Sequence, residues 1–338
     1  MSTVGREAAV LLDTFGRQAV DLRVSLTDRC NLRCTYCMPE EGLQWLAKPE
    51  LLTDEEIVRL VTLAVRDLGV REVRFTGGEP MLRPGLVSIV TACAELEPRP
   101  ELSLTTNGIG LARTATALRQ AGLDRVNVSL DTLDADTFFT LTRRHRHQDV
   151  LDGLAAAEAA GLAPVKLNAV LMRGVNDHEA ADLLAWCLEH GYELRFIEQM
   201  PLDAQHGWDR SQMVTAEEIL DRLHARFSLT PEPSSARGAA PAERWLVDGG
   251  PASVGVIASV TRPFCRACDR TRLTADGQIR NCLFATGETD LRTALRSGGT
   301  DAEIGELWRT AMWGKKAGAG IDNPEFLQPA RPMSAIGG

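Results

Sequence analysis

The feature that most constrains the fold is a regular alternation of short apolar runs with longer segments of helical apolar spacing, from about residue 21 to about residue 226. The longer segments end at glycines, as helices commonly do: Gly69, Gly122, Gly161 and Gly191. This alternation is typical of a parallel sheet with right-handed helical crossovers. The predicted strands span 21–26, 72–75, 101–104, 125–130, 164–171 and 192–197, with helices at about 54–68, 85–96, 110–121, 149–160 and 178–189.

Such a series of strand–helix units forms either a doubly wound open sheet or a partial barrel. Polar motifs follow nearly every predicted strand, at residues 30–37, 77–80, 105–108, 129–131 and 198–201. Barrel enzymes build their active sites at the C-terminal ends of all their strands. A doubly wound sheet instead binds ligands mainly at the one point where the strand order reverses. We therefore predict an α/β fold, a partial (βα)6 TIM-type barrel with a C-terminal extension.

The pattern changes after the predicted barrel. Residues 231–243 are rich in Pro, Ser, Ala and Gly and are interpreted as a linker. Short strands near 244–247, 254–258 and 272–273 and helices at about 288–297 and 301–313 are predicted beyond it. The expected organisation is a lead-in at 1–20, the barrel at 21–228, a C-terminal domain at 229–313 and a flexible tail at 314–338 ending in Gly-Gly.

Composition narrows the functional class. The chain has 338 residues, 44% of them hydrophobic, but its apolar runs are too short to cross a bilayer. The N-terminus lacks the basic and apolar regions of a secretory signal, so we expect a cytoplasmic protein without a membrane partner. A net charge of −9 argues against general nucleic-acid binding. It leaves open an anionic small molecule, because a few arginines in one cleft act locally.

The cysteines are grouped in a way that suggests metal binding in a reducing compartment. Cys30, Cys34 and Cys37 lie in one short loop, a spacing that suits an iron–sulfur cluster with one iron left open. A redox dithiol or half of a zinc site is the alternative. Cys93 and Cys187 stand alone in helical segments and are interpreted as buried thiols.

A second group of three cysteines lies near the C-terminus, at Cys265, Cys268 and Cys282. A zinc ribbon would require four ligands, and the stretch 249–299 contains no fourth Cys or His. The spacing therefore argues against a zinc ribbon at the second group.

The first loop, Cys-x3-Cys-x2-Cys with Tyr36 before the last cysteine, resembles the signature of the radical S-adenosylmethionine (radical SAM) superfamily. The Gly-Gly-Glu-Pro run at 77–80 resembles that superfamily's glycine-rich motif, in which a Cβ would block backbone approach to the cosubstrate. The resemblance implies that S-adenosylmethionine fills the open iron site. It implies cosubstrate contacts at Tyr36, Gly78, Ser129 and Met200.

The stretch 264–283 reads Phe-Cys-x2-Cys-x-Arg-x-Arg-Leu-Thr-x-Asp-Gly-x4-Cys-Leu and resembles the C-terminal motif of the GTP 3',8-cyclase family. Segments 15–17, 21–30, 74–80, 104–108, 127–131, 198–201 and 333–338 resemble other motifs of that family. The resemblance implies two [4Fe-4S] clusters and conversion of GTP to (8S)-3',8-cyclo-7,8-dihydroguanosine 5'-triphosphate, the first step of molybdenum cofactor biosynthesis. It also implies that the di-glycine terminus reaches into the active site.

The same resemblance implies a set of substrate contacts and partners. The GTP contacts would be Arg23 (also a catalytic candidate), Arg74, Thr105, Lys166, Arg270, Thr271 and Arg272. Arginine forks and a lysine charge suit a triphosphate. An electron donor would supply reducing equivalents, and the product would pass to cyclic pyranopterin monophosphate synthase. The chain would act as a monomer or homodimer.

Two alternative functions and two minor features complete the predictions. The first alternative function is that of another two-cluster radical enzyme, such as a peptide-modifying maturase, but such enzymes usually carry more C-terminal cysteines. The second is a zinc-binding interaction module, which would hold no iron. The basic run at 143–147 is interpreted as a solvated surface. No histidine follows Lys315-Lys316, unlike in many relatives, which weakens any predicted role for that segment.

Overall fold

The computed structural model describes residues 10–321, 323 and 326–337. Its strands are β1 Asp21–Ser25, β2 Glu72–Thr76, β3 Glu101–Thr106, β4 Arg125–Ser129, β5 Lys166–Val170, β6 Glu193–Ile197, β7 Leu229–Pro231, β8 Glu243–Val247, β9 Ser253–Ile257, β10 Arg270–Leu273, β11 Gln278–Arg280 and β12 Thr289–Asp290. They form one sheet in the order β12-β11-β10-β1-β2-β3-β4-β5-β6-β9-β8-β7. Strands β1 to β6 run parallel to one another, as the sequence pattern predicts.

The helices connect these strands and cover the sheet. They are α1 Asp54–Asp67, α2 Leu86–Ala94, α3 Leu111–Gln120, α4 Ala135–Thr142, α5 His147–Ala159, α6 Ala180–His190, α7 Ala216–His224, α8 Ser234–Arg237, α9 Leu291–Arg296, α10 Asp301–Trp313 and α11 Met333–Ile336. The predicted helices lie within a few residues of these bounds. Sequence reasoning missed the short helices α8 and α11, and also α4, whose apolar residues occupy little more than two turns.

The C-terminal region adds strands at both ends of the six-stranded sheet. β10 pairs in parallel with β1, and β9 pairs in parallel with β6. Antiparallel hairpins then continue the sheet outward to β12 on one side and to β7 on the other. The mixed α/β class is confirmed, and in the described part of the chain the sheet is open. The linker and irregular tail also contain more structure than expected, since β7, α8 and α11 lie within or beside them.

Alternate residues of the strands separate the core from the functional face. On β1, Leu22 and Val24 are fully buried against the helices. Arg23 lies between them, in register with Arg74 of β2 on one side and Arg272 of β10 on the other. Because side chains alternate along a strand, the three arginines share one face.

Two predictions from composition can be compared with the fold. No helix in the described residues combines the length and apolar character that a membrane crossing requires. Cys93 and Cys187 are fully buried within α2 and α6, as predicted. Burial raises the pKa of each thiol to about 12, so both remain protonated and act as small apolar groups.

Candidate active site

The first cysteine loop follows β1 and is held by the C-terminal end of α4. The backbone N–H of Arg33 donates to the Thr142 carbonyl (3.0 Å), and the N–H of Thr35 donates to the Leu141 carbonyl (2.8 Å). Arg143 donates from one nitrogen to the Arg33 and Met38 carbonyls, at 3.0 and 3.1 Å. The interpretation of this basic run as solvated is therefore wrong for Arg143, whose half-buried side chain positions the loop.

The three cysteines of this loop are partly buried, and their surroundings oppose ionisation of each thiol. Burial raises the pKa of Cys30 to about 11 and that of Cys37 to about 12. Burial also raises the pKa of Cys34 well above its ordinary value, and the neighbouring Asp131 carboxylate and the other two thiols add to the shift. Thiols in such surroundings ionise when a bound metal supplies positive charge.

The Gly-Gly turn after β2 packs directly on the start of the cysteine loop. A Cβ on Gly77, whose φ is +146°, would lie 2.4 Å from the Thr27 carbonyl oxygen. A Cβ on Gly78 would lie 2.3 Å from the carbonyl oxygen of Arg29. The N–H of Gly78 donates to the Thr27 carbonyl at 2.7 Å. These glycines are therefore required for close packing of two backbones, and sequence reasoning did not foresee that contact.

Glu79 is a buried carboxylate that connects two loops, a structural role that sequence reasoning missed. Only 1% of the residue is exposed. Its oxygens accept hydrogen bonds from the Asn107 N–H (2.7 Å), the Thr106 hydroxyl (2.7 Å) and the Met81 N–H (2.9 Å). Burial raises its pKa to about 7 in spite of these bonds. Glu79 thus joins the loops that follow β2 and β3.

The residues predicted to contact S-adenosylmethionine lie at the same end of the sheet. The Tyr36 hydroxyl donates to Asp131 at 2.7 Å, and Asp131 also accepts from the Val170 N–H at 2.8 Å. Burial raises the pKa of Asp131 to about 6. Ser129 is the last residue of β4, and Met200 lines the central pocket described next.

The central pocket has a volume of about 1010 Å³, part of which is open to solvent. Five arginines line it, and no Asp or Glu is among the described residues that do so: Arg23, Arg74, Arg195, Arg270 and Arg272. Thr105 and Asn168 line it as well, together with the three cysteines of the second group. Sequence reasoning missed Arg195 and Asn168. A charged residue in the middle of the buried strand β6 was the available signal for Arg195.

Too few carboxylates lie near the five guanidinium groups to neutralise their positive charge. Asp21 is the nearest carboxylate, 3.6 Å from both Arg23 and Arg270. Burial opposes its ionisation, but the surrounding arginines hold its pKa below the usual range. Burial, together with the charge of neighbouring arginines, lowers the pKa of Arg272 to about 9 and that of Arg195 to about 10. Such a pocket favours a polyanionic ligand, which would supply the missing charge.

The second cysteine loop forms one wall of this pocket. The Lys315 ammonium lies 3.3 Å from the Cys268 sulfur. Burial opposes ionisation of Cys268, yet the charge of Lys315, followed by that of Arg270, lowers the pKa of this thiol. The absence of a following histidine therefore does not remove Lys315 from the site, contrary to what the sequence suggested.

The C-terminal segment enters the space between the two cysteine loops. The Met333 N–H donates to the Leu202 carbonyl at 3.0 Å, and Ile336 is buried. The Gly337 carbonyl accepts a hydrogen bond from Arg272. A Cβ on Gly337 would lie 2.9 Å from a Thr76 methyl carbon. The predicted insertion of the terminus thus extends to Gly337 in the described residues, while Gly338 lies outside them.

Comparisons with known proteins agree with this arrangement. The Radical SAM superfamily model matches residues 24–187, and the Molybdenum Cofactor Synthesis C model matches residues 192–321. A GTP 3',8-cyclase of Streptomyces coelicolor is 75% identical over 99% of this chain and 99% of its own. A GTP 3',8-cyclase of Mycobacterium sp. strain KMS is 60% identical over 99% and 97%. The chain belongs to the GTP 3',8-cyclase family.

Solved structures share the fold of this GTP 3',8-cyclase family member at low identity. Streptococcus suis SuiB bound to S-adenosylmethionine is 16% identical, with a TM-score of 0.60 over 86% of this chain and 68% of that one. The enzyme anSMEcpe with bound AdoMet is 14% identical, with a TM-score of 0.58 over 91% and 82%. At these identities the likeness extends to the fold alone.

Radical SAM membership implies a [4Fe-4S] cluster and S-adenosylmethionine, and the residues present fit both. The loop after β1 offers three thiols, the soft donors that iron–sulfur clusters require. Beside them, the Gly77-Gly78 turn after β2 has no side chains, and its backbone packs against the start of the cysteine loop. In the described residues, no three Cys, His, Asp or Glu side chains are grouped around a position for one metal ion.

Two residues predicted to contact GTP are absent from the pocket lining. Thr271 is fully buried on the opposite face of β10, where its hydroxyl accepts a hydrogen bond from the Trp308 indole at 3.0 Å. Strand alternation explains this position, because Arg270 and Arg272 on either side face the pocket. The Lys166 ammonium instead pairs with Glu193 at 2.8 Å.

Proposed function

We propose that this chain converts GTP to (8S)-3',8-cyclo-7,8-dihydroguanosine 5'-triphosphate, the first step of molybdenum cofactor biosynthesis. The relatives that carry the GTP 3',8-cyclase name cover nearly the whole chain, which supports the same reaction here. The structural observation that carries the proposal is the pocket lined by five arginines, with cysteines of the second group in its wall. Its charge suits a triphosphate.

We further propose that Cys30, Cys34 and Cys37 hold the radical SAM cluster. When bound, this cluster supplies the electron that cleaves S-adenosylmethionine and so begins the radical reaction. Tyr36, Gly78, Ser129 and Met200 contact the cosubstrate in this proposal. Their positions at the ends of strands and in the central pocket support that role. The chain itself holds the thiolates, orients the ligands and excludes water from the site.

The second cysteine group, in this proposal, holds another [4Fe-4S] cluster through Cys265, Cys268 and Cys282. Support comes from their position in the wall of the arginine pocket, where such a group would adjoin the substrate. The presence of a lysine ammonium beside Cys268 also suits a ligand that acts as a thiolate.

GTP is bound in this proposal by residues from four neighbouring strands of the sheet. Arg23, Arg74 and Thr105 approach from β1, β2 and β3, while Arg270 and Arg272 approach from β10. Arg23 is the candidate for a catalytic role because it lies between the arginines of β2 and β10. Thr271 would act indirectly, by anchoring β10 through Trp308, and Lys166 would have to leave Glu193 to reach a phosphate.

The finer points of architecture and context belong to the same proposal. The six parallel strands curve as a partial barrel, which is supported by the lining of one pocket from β1, β2, β3, β5, β6 and β10 together. An electron donor reduces the first cluster, and the product passes to cyclic pyranopterin monophosphate synthase. The enzyme works in the cytoplasm as a monomer or homodimer.

Anaerobic reconstitution with iron and sulfide tests the proposal. We expect about eight irons per chain, as two cubane clusters require. Incubation with GTP, S-adenosylmethionine and a reductant should yield 5'-deoxyadenosine and the cyclised nucleotide, identified by mass spectrometry. Production of 5'-deoxyadenosine without any change in GTP would contradict the assigned substrate.

A further inference from the structure

The buried Lys315 lies beside the second cysteine loop and forms polar contacts with that loop and the strand that follows it. The residue follows α10 and is only 4% exposed. Its ammonium donates to the Arg270 carbonyl at 2.8 Å, to the Cys268 carbonyl at 3.2 Å and to the Cys268 sulfur at 3.3 Å. In the described part of the chain, no carboxylate forms an ion pair with it. A buried ammonium requires compensating negative charge, and the sulfur is the contacting group that can become an anion.

The backbone around Lys315 is fixed from its other side by Arg17. The Arg17 side chain pairs with Asp13 at 2.5 Å. It then donates to the carbonyls of Cys265 (2.5 Å), Lys316 (2.6 Å) and Ala317 (3.1 Å). One guanidinium therefore joins the second cysteine loop to the segment that carries Lys315. This arrangement determines where the lysine side chain can reach.

The same segment also serves another cysteine of the group. The backbone N–H of Ala319 donates to the sulfur of Cys265. Residues 315–319 thus supply hydrogen-bond donors to two of the three thiols, one of them charged. Donors around the sulfurs of an iron–sulfur cluster adjust its reduction potential, because each electron that enters adds negative charge to the sulfurs.

We propose that Lys315 is a positioning residue that raises the reduction potential of the cluster held by Cys265, Cys268 and Cys282. Its ammonium stabilises the state in which that cluster has accepted one electron. The inference rests on the proposed second cluster. It assigns a specific role to one side chain that is not among the predicted cluster ligands or substrate contacts.

The test compares Lys315→Met with Lys316→Met, a matched change at the adjacent exposed lysine. Both are made in a full-length chain in which Cys30, Cys34 and Cys37 are replaced by Ala, so that only the second cluster remains. Dithionite titration followed by electron paramagnetic resonance measures reduction. At a fixed potential, the ratio of reduced to oxidised cluster should fall roughly tenfold or more in Lys315→Met, as expected for a lost charged hydrogen bond.

The outcomes separate this inference from the proposed function. Equal ratios in Lys315→Met and Lys316→Met would overturn the role of Lys315. Absence of any iron in the Ala background without a lysine change would instead contradict the second cluster. If Lys315→Met loses its cluster, Lys315→Arg and Lys315→Gln are titrated, and the ratio should be higher in Lys315→Arg. Loss of iron in all three would make Lys315 an assembly residue and would also overturn the proposal.

Discussion

At the scale of single residues, the fold holds more positive than negative charge in the arginine pocket. Arg74 is half-buried in the pocket wall and donates to the Ser103 hydroxyl at 3.2 Å. Burial, together with the charge of Arg23, lowers its pKa well below the usual value. Such a residue reduces the stability of the free protein and contributes to binding once an anion arrives.

Replacing Arg74 by Met should therefore weaken GTP binding without lowering the stability of the ligand-free chain. GTP affinity should fall by about 2–5 kcal/mol, the usual effect of truncating a buried charged partner. The free energy of unfolding of the ligand-free chain should stay equal or rise, because an apolar side chain replaces an unpaired buried charge. Calorimetry and urea unfolding measure the two quantities. Arg226→Met, at an exposed ion pair with Asp182, is the matched control and should change neither by much.

Glu79 should make the stability of the folded chain depend on pH. Its carboxyl pKa is about 7 in the fold, against 4.5 for an ordinary glutamate. Below about pH 4.5 both states are protonated, and between 4.5 and 7 only the folded state keeps the proton. The Glu79 contribution to the unfolding free energy should thus fall by up to about 3 kcal/mol across this range and then level off.

The measurement for Glu79 is urea unfolding of the metal-free protein at several pH values. Glu79→Gln is the reference, since its amide does not titrate. The unfolding free energy of the variant minus that of the unsubstituted chain should increase from pH 4.5 to pH 7. A constant difference across this range would show that the Glu79 carboxyl is not perturbed by burial.

The two cysteine groups should fail differently when one ligand is removed. Cys34→Ser should abolish formation of 5'-deoxyadenosine, because the first loop loses a thiolate. Cys282→Ser should retain 5'-deoxyadenosine formation and lose most GTP cyclisation. Each variant is the control for the other, with iron content and both products measured together. Full cyclisation by Cys282→Ser would reduce the second group to a structural role.

At the scale of elements, the C-terminal segment is held at three places. The Arg331 guanidinium forms two hydrogen bonds to Asp276, at 3.0 and 2.7 Å, and pairs with Glu288 at 2.8 Å. Further along, Met333 is bonded to Leu202, and the Gly337 carbonyl is bonded to Arg272. The segment therefore spans from the β10–β11 hairpin to the ends of β1 and β2.

Gly337→Ala should displace the end of this segment. The position has a φ of +86°, and the added methyl would also contact Thr76 at 2.9 Å. An alanine in this sparsely populated, positive-φ conformation costs about 1–3 kcal/mol, so the seated population should fall roughly tenfold before the contact with Thr76 is considered. GTP turnover per assembled cluster and hydrogen exchange of residues 333–337 should both report the change.

Gly320→Ala is the matched control for this substitution. Gly320 has a φ of +69°, but no atom lies within 4 Å of its added Cβ. Both variants place an alanine at a positive φ, and only Gly337→Ala also adds a close steric contact. Equal turnover in the two would show that the Gly337 contact with Thr76 has no functional consequence.

These elements also show how far the sequence could predict the fold. The six strands and the cysteine loop after β1 were predictable, because apolar period and motif position are local properties of the chain. The side of β10 that Thr271 faces was missed, because the predicted strand covered only residues 272–273 and the alternation was not extended back to residue 271. The contacts of Lys315 and Arg143 join segments that are distant in sequence, and their environments depend on packing alone.

At the scale of the whole molecule, the sheet explains why the pocket draws residues from both halves of the sequence. β10 lies beside β1, and this register places Arg272 next to Arg23. β9 lies beside β6 at the other end and contributes Ile257 to the pocket. The two family-model regions thus meet within one sheet, with the candidate site along their common face.

This sheet order has a consequence for solubility. A chain ending at residue 228 would lack β9 and β10, so β1 and β6 would become edge strands with unpaired N–H and C=O groups. Their apolar side chains, Leu22, Val24, Leu194 and Phe196 among them, are fully or almost fully buried in the complete sheet. Unprotected edges of this kind pair with other chains. The truncated chain should form concentration-dependent aggregates in light scattering while the full chain does not, and a stable truncated monomer would show that the edges are protected in another way.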